Sequence, residues 1–145
     1  MPFQKDSGEI DRVLSGNRLD PSLDMAQSII CARSFEFAAR ILRLCNRLCR
    51  RGPIARHIGQ ELATCGTSIG ANAEEAQDGQ TKPDFIAKLA VSRKESRETI
   101  YWLRLALRVE VVTSDEVKWE MEEAAQLRAM IVSAIKTAQS SRSRG

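Results

Sequence analysis

The stretch CGTSIGANAEEAQDGQTKPDFIAKLAVSRKESRETIYWLRL, residues 65–105, holds two helical patterns joined by one turn. In its first half Cys65, Ile69 and Ala73 recur at helical spacing, continuing a pattern that begins near Ile54 with Ile58 and Leu62. Gly66 and Gly70 sit inside that pattern, where each costs roughly 1 kcal/mol against alanine. With Ala63, Ala71 and Ala73 they make a smooth surface suited to the close approach of a neighbouring helix. Asp78-Gly79 ends this helix. Thr81-Lys82-Pro83-Asp84 opens the next one, with a capping hydroxyl, a proline near the first turn and an acid on the positive end of the helix dipole. Phe85, Leu89, Ser92, Ser96, Ile100, Leu103 and Leu107 then mark an inward face to about Val109, while Lys88, Arg93, Lys94, Glu95, Arg97, Glu98 and Arg104 mark the outer one.

Two more helices flank this pair. Over residues 32–50, Phe35, Ala38, Leu42, Cys45 and Cys49 form one apolar row, and Phe37, Ile41, Leu44 and Leu48 the adjacent one. Arg51-Gly52-Pro53 stops that helix. Downstream, Thr113-Ser114-Asp115 is a cap with Glu116 in the first turn. Val117, Met121, Ala124, Leu127, Met130, Ile131, Ala134 and Ile135 carry a fourth helix to about Ala138. Four amphipathic helices with short connections predict an all-α, antiparallel up-down-up-down bundle over residues 21–140. Residues 1–20 read as a flexible polar leader and 141–145 as a disordered basic tail.

A length of 145 residues fits one domain with a true core. Sparse aromatics and the lack of alternating valine-rich runs argue against a sandwich or barrel. No apolar run approaches the ~20 residues that span a bilayer, and the N-terminus lacks the apolar core of a signal peptide, so a cytoplasmic protein with no membrane contact is expected. Cys31, Cys45, Cys49 and Cys65 include no C-x-x-C pair, which predicts free thiols. The single histidine, His57, cannot build a di-iron centre of the Glu-x-x-His kind. No metal and no cofactor are expected. With no nucleophile constellation and no glycine-rich phosphate loop after a strand, an enzyme is not expected either.

The formal net charge is +3, unevenly spread. Residues 33–56 hold seven Arg and one Glu, whereas residues 57–81 hold four acids and no Lys or Arg. Arg33, Arg40, Arg43, Arg47 and Arg50, with Arg51 and Arg56 beyond, line one helix side for roughly 25 Å at ~1.5 Å rise per residue. Guanidinium groups pair bidentately with phosphate, so this row is a candidate nucleic-acid face. It reads equally as a solvated face, or as one bonded to the acidic 61–78 segment of a neighbouring subunit. No aromatic residue interleaves it, which argues against base stacking there.

A polar cluster of Asn72 and Glu75 with Lys94, Glu95, Arg97 and Glu98 is expected to fix helix register, Asn72 and Glu75 bonding to the third helix against Arg97 or Lys94; its functional alternative is a small polar site within the bundle. Tyr101 and Trp102 are expected at a helix–helix or subunit boundary, because two adjacent large rings cannot both face one core.

TSIGANAEEAQ (67–77), DFIAKLAVSRKESRETIYWLRL (84–105) and AIKTAQ (134–139) resemble a bacterial four-helix bundle family first noticed as reading frames in intervening sequences of 23S ribosomal RNA genes. RSFEFAARILRLCNRL (33–48) fits the first helix of that family, and the likeness spans about residues 32–140. Glu74-Glu75 and Ser92-Arg93 depart from its usual pattern. The resemblance implies a four-helix bundle that commonly forms a ring-like homopentamer. It also implies relatives that serve as retroelement accessory proteins, engaging reverse transcriptase and nucleic acid. The expected function is therefore a non-enzymatic homo-oligomeric scaffold or adaptor, with RNA or a nucleic-acid-bound protein as partner. The alternative is a protein-only assembly factor whose arginine face makes subunit or partner contacts.

Overall fold

The computed structural model describes residues 21–79 and 81–141; the expected leader (1–20) and all but Ser141 of the expected tail lie outside them. The described residues form four helices and no strand: α1 (Pro21–Leu48), α2 (Pro53–Gln77), α3 (Lys82–Arg108) and α4 (Ser114–Ser140). They pack in a ring, α1 on α2, α2 on α3, α3 on α4 and α4 on α1, with no packing across either diagonal. Residue numbers run in opposed directions along the seams. Gly70 meets Ser34 and Gly59 meets Leu48 between α1 and α2; Glu75 reaches Lys88 while His57 reaches Trp102 between α2 and α3.

Local chemistry sets the helix ends. Gly52 holds φ +103°, a region that side-chain-bearing residues avoid, and Pro53 then opens α2 with its φ already set for a helix. The hydroxyls of Thr81 and Thr113 accept from the backbone N–H groups of Asp84 and Glu116, each at 3.2 Å, as their capping patterns predict. Past Arg108 the chain reverses through Glu110 at φ +61°, with the Val111 N–H bonded to the Ala106 carbonyl.

The core is formed by Ile30, Phe37, Ile41, Leu44 and Leu48 of α1, Leu62 and Ile69 of α2, Leu89 and Leu103 of α3, and Leu127 and Ile131 of α4, all fully buried. Helix α1 starts at Pro21, where the bundle is expected to begin, and runs ahead of the strong apolar pattern of 32–50 because Leu23, Gln27, Ile30 and Ser34 continue its inward row. Gln27 and Ser34 are polar and mask the periodicity. They are accommodated by α2: Gln27 Nε2 donates to the Ala73 carbonyl at 2.6 Å, and Ser34 lies against Gly70. Only one of the two expected α1 rows is core. Phe35 and Leu42 of the other are 64% and 46% exposed, and Cys49 is exposed as well. On α3 the fully buried places belong to Thr99 and Ala106 rather than Ile100 and Leu107, which are half-buried.

The glycine surface of α2 meets its expected partner. A Cβ placed on Gly66 would stand 2.8 Å from Ile41 Cγ2, and one on Gly70 would stand 3.3 Å from the Ser34 backbone. The seam thus depends on the missing side chains. Gly59, which the periodic pattern did not single out, lies on the same seam against Leu48 and Cys45.

Candidate functional site

The α1 arginines divide into two groups once α4 is in place. Arg33 forms a forked pair with Glu123 at 2.7 and 2.8 Å and also donates to Gln126 Oε1 at 2.6 Å. Arg40 reaches Glu120 at 3.3 Å, its guanidinium lying 4.3 Å from the centre of the Trp119 ring. Arg47 and Arg51 converge on Glu116, the latter bidentately at 2.7 Å on both arms, and Arg51 also donates to the Val111 carbonyl. Arg43 and Arg50 remain exposed with no ion pair among the described residues, while Arg56 donates only to the Cys49 carbonyl at 3.4 Å. Four of the seven arginines considered for phosphate binding are thus engaged with carboxylates of their own chain. Those carboxylates belong to α4, not to residues 61–78 of a neighbour.

The α4 acids were missed as partners, although a signal was present. Glu116, Glu120 and Glu123 follow spacings of four and three, the period of the facing arginines. Hydrogen bonds from Arg51, reinforced by Arg47, hold the Glu116 carboxyl below its usual range. Glu120 is 2% exposed and occupies a core position; Oε1 takes the Arg40 bond, while its buried Oε2 has no partner among the described residues. Trp119 stacks on Phe37 with ring centres 6.2 Å apart, so it closes the α1–α4 seam instead of filling the core.

The polar cluster at the α2–α3 seam assembles with different partners from those expected. Glu75 does bond to α3, but through Lys88 at 2.7 Å, not Lys94 or Arg97. Asn72 is half-buried and donates back to the Ser68 carbonyl of its own helix at 2.8 Å. The cross-helix bond at this level comes from Ser92, whose buried hydroxyl donates to the Ile69 carbonyl at 2.7 Å. Burial and the nearby Glu98 raise the Glu95 carboxyl above its ordinary range. Lys94 and Arg97 stay exposed and unpaired among the described residues.

Trp102 lies half-buried at the α2–α3 boundary, edge-on to His57 at 5.8 Å and to Tyr101 at 5.3 Å. Tyr101 projects outward. The four cysteines are free thiols, and burial pushes Cys31, Cys45 and Cys65 up to about 11. Among the described residues no three His, Cys, Asp or Glu side chains converge as a metal site, and no helix is long and apolar enough to cross a membrane.

Comparison with known proteins agrees with the fold. A crystal structure of a protein with unknown function from the S23 ribosomal protein family of Bacteroides thetaiotaomicron VPI-5482 is similar, with a TM-score of 0.72 and 33% sequence identity over 77% of this chain and 98% of that one. No curated protein sequence matches. The family described as 23S rRNA-intervening sequence protein matches residues 26–133, from the first turns of α1 to the last turns of α4. With most of its helical residues inside that match, the chain belongs to the 23S rRNA-intervening sequence protein family.

Proposed function

We infer that this chain is a non-enzymatic, homo-oligomeric scaffold or adaptor of the cytoplasm, an up-down-up-down antiparallel bundle that works by presenting surfaces. The observation that carries this reading is the uncovered apolar side of α1. Met25, Phe35 and Leu42 are 69%, 64% and 46% exposed, and half-buried Ala39 lies between the last two at helical spacing. A lone chain gains nothing from leaving these groups in water, whereas a second copy covering them gains about 25 cal/mol per Å2 of apolar surface. The opposed residue pairing along the seams supports the antiparallel arrangement.

A ring of five is the assembly this reading favours, with a combined charge of about +15 from +3 per chain. The α1 arginines act here as braces within each subunit. Phosphate would have to displace forked carboxylates from Arg33 and Arg51, so the protein-only use of this face is favoured over RNA binding through it.

Light-scattering mass tests the reading. Wild type is expected as an oligomer, and Phe35→Lys/Leu42→Lys as a folded species of lower mass. A monomeric wild-type chain at micromolar concentration would overturn the proposal.

A further inference from the structure

Once α1 is read as a brace, a row of unpaired cations remains on α3. Lys94, Arg97, Arg104 and Arg108 are all exposed, and among the described residues none has an ion pair or hydrogen bond within the chain. Arg97, Tyr101, Arg104 and Arg108 follow spacings of four, three and four, which places them on one stripe. From Lys94 to Arg108 that stripe is roughly 21 Å long at ~1.5 Å per residue. Glu95 and Glu98 lie within the same span, both half-buried, and Lys94 is close enough to favour the charged form of Glu95.

Tyr101 distinguishes this stripe from an ordinary solvated face. Its side chain is 53% exposed, yet the ring is buttressed edge-on by Trp102, which is itself braced by His57. A supported ring loses little rotamer freedom when something stacks on it. Beside it lies a shallow depression of about 480 Å3, rimmed by Tyr101, Arg104, Leu105, Leu107 and Arg108. Cations in a row with an aromatic face among them are the elements of a single-strand platform, phosphates meeting the guanidinium groups and a base lying on the ring. The arginine row of α1 and the turn after it has no such ring among its unpaired members, Arg43 and Arg50.

We propose that the outer stripe of α3, Lys94, Arg97, Tyr101, Arg104 and Arg108, binds single-stranded nucleic acid, its cations meeting consecutive phosphates and Tyr101 stacking on one base. Duplexes fit less well, because their base faces are already stacked on one another. An acidic protein would use the same cations without needing the ring.

The test is fluorescence anisotropy with labelled single-stranded RNA, single-stranded DNA and duplex DNA over a salt series, with light-scattering mass and melting temperature recorded for every variant. Wild type should bind both single strands more tightly than the duplex, and binding should weaken steeply with salt. Arg97→Gln/Arg104→Gln should weaken it by at least about tenfold and make the log–log salt slope shallower by about 1.4, at ~0.7 for each phosphate that is no longer neutralised. Tyr101→Ala should cost about five- to 150-fold, as stacking is worth ~1–3 kcal/mol per base, and Tyr101→Phe should restore it. Arg43→Gln/Arg50→Gln, on α1 and the turn after it, should bind as wild type does.

Preference for RNA over DNA, or the reverse, would identify the strand and support the site. Absence of binding, duplex binding at least as tight as single-strand binding, or equal losses from α1 and α3 variants would each overturn the proposal. So would a Tyr101→Ala variant that binds normally, which would leave the ring without a part in binding, or losses that appear only together with altered mass or melting.

Discussion

Helix α1 is held by two seams built on different physics. Against α2 it packs through glycines, with Gly66 under Ile41 and Gly70 under the Ser34 backbone, so the fit is short-range and steric. Against α4 it packs through long side chains, in the Arg33–Glu123, Arg40–Glu120 and Arg51–Glu116 pairs, with Trp119 closing the edge. Steric fit fails abruptly when one methyl group is added, whereas charge pairs at a partly wet seam fade gradually and depend on pH and salt. The comparison shows where much of the arginine charge of this region goes: Arg33, Arg40, Arg47 and Arg51 pair with carboxylates of α4.

The largest test falls on the steric seam. Gly66→Val should lose about 3 kcal/mol in urea unfolding, since its Cβ alone would sit 2.8 Å from Ile41 Cγ2. Wild-type stability in that variant would mean the two helices do not approach so closely. Next comes the buried end of the charged seam. Glu120→Met should raise stability by about 1–2 kcal/mol, because a core carboxylate with an unpartnered oxygen gives way to an apolar side chain of similar length. A loss of stability instead would show that the Arg40 bond outweighs that desolvation.

Glu116→Gln should cost about 0.5–1 kcal/mol near neutral pH, an amount limited by the solvent exposure of Arg47 and Arg51. Its pH dependence has a definite sign. The folded carboxyl titrates below its ordinary value of 4.5, so its contribution is present above that pH and disappears as the pH falls through the lower folded value. The variant should therefore have a flatter stability profile in that acid window, and a profile parallel to wild type would remove Glu116 from the brace. The smallest effect is that of salt. Raising it to 1 M should lower the contribution of the α4 pairs by a few tenths of a kcal/mol, and leave the Gly66→Val penalty unchanged in a double-mutant comparison.

Much of this architecture is legible in residue order alone. The Thr81 and Thr113 caps, the Gly52-Pro53 break and the row Phe37, Ile41, Leu44 and Leu48 are local signals, each read within a few residues. Gly66 and Gly70 announced a close neighbour because nothing local justifies glycine in a helix interior. Gln27 and Ser34 concealed the first turns of α1, since a polar residue in a core row is explained only by the α2 groups that receive it, the Ala73 carbonyl and Gly70.

The candidate surfaces depended far more on the third dimension. Sequence by itself determined the helices, the family-specific stretches and which helix faces carry charge, because periodicity and capping act within a turn or two. Which charges are free was decided only by tertiary structure. An arginine's partner lies anywhere its long side chain can reach, and residues 33 and 123 become neighbours only when α4 returns along α1. That return commits Arg33, Arg40, Arg47 and Arg51, and leaves the outer stripe of α3 as the row where, among the described residues, cations stand unpaired around an aromatic ring.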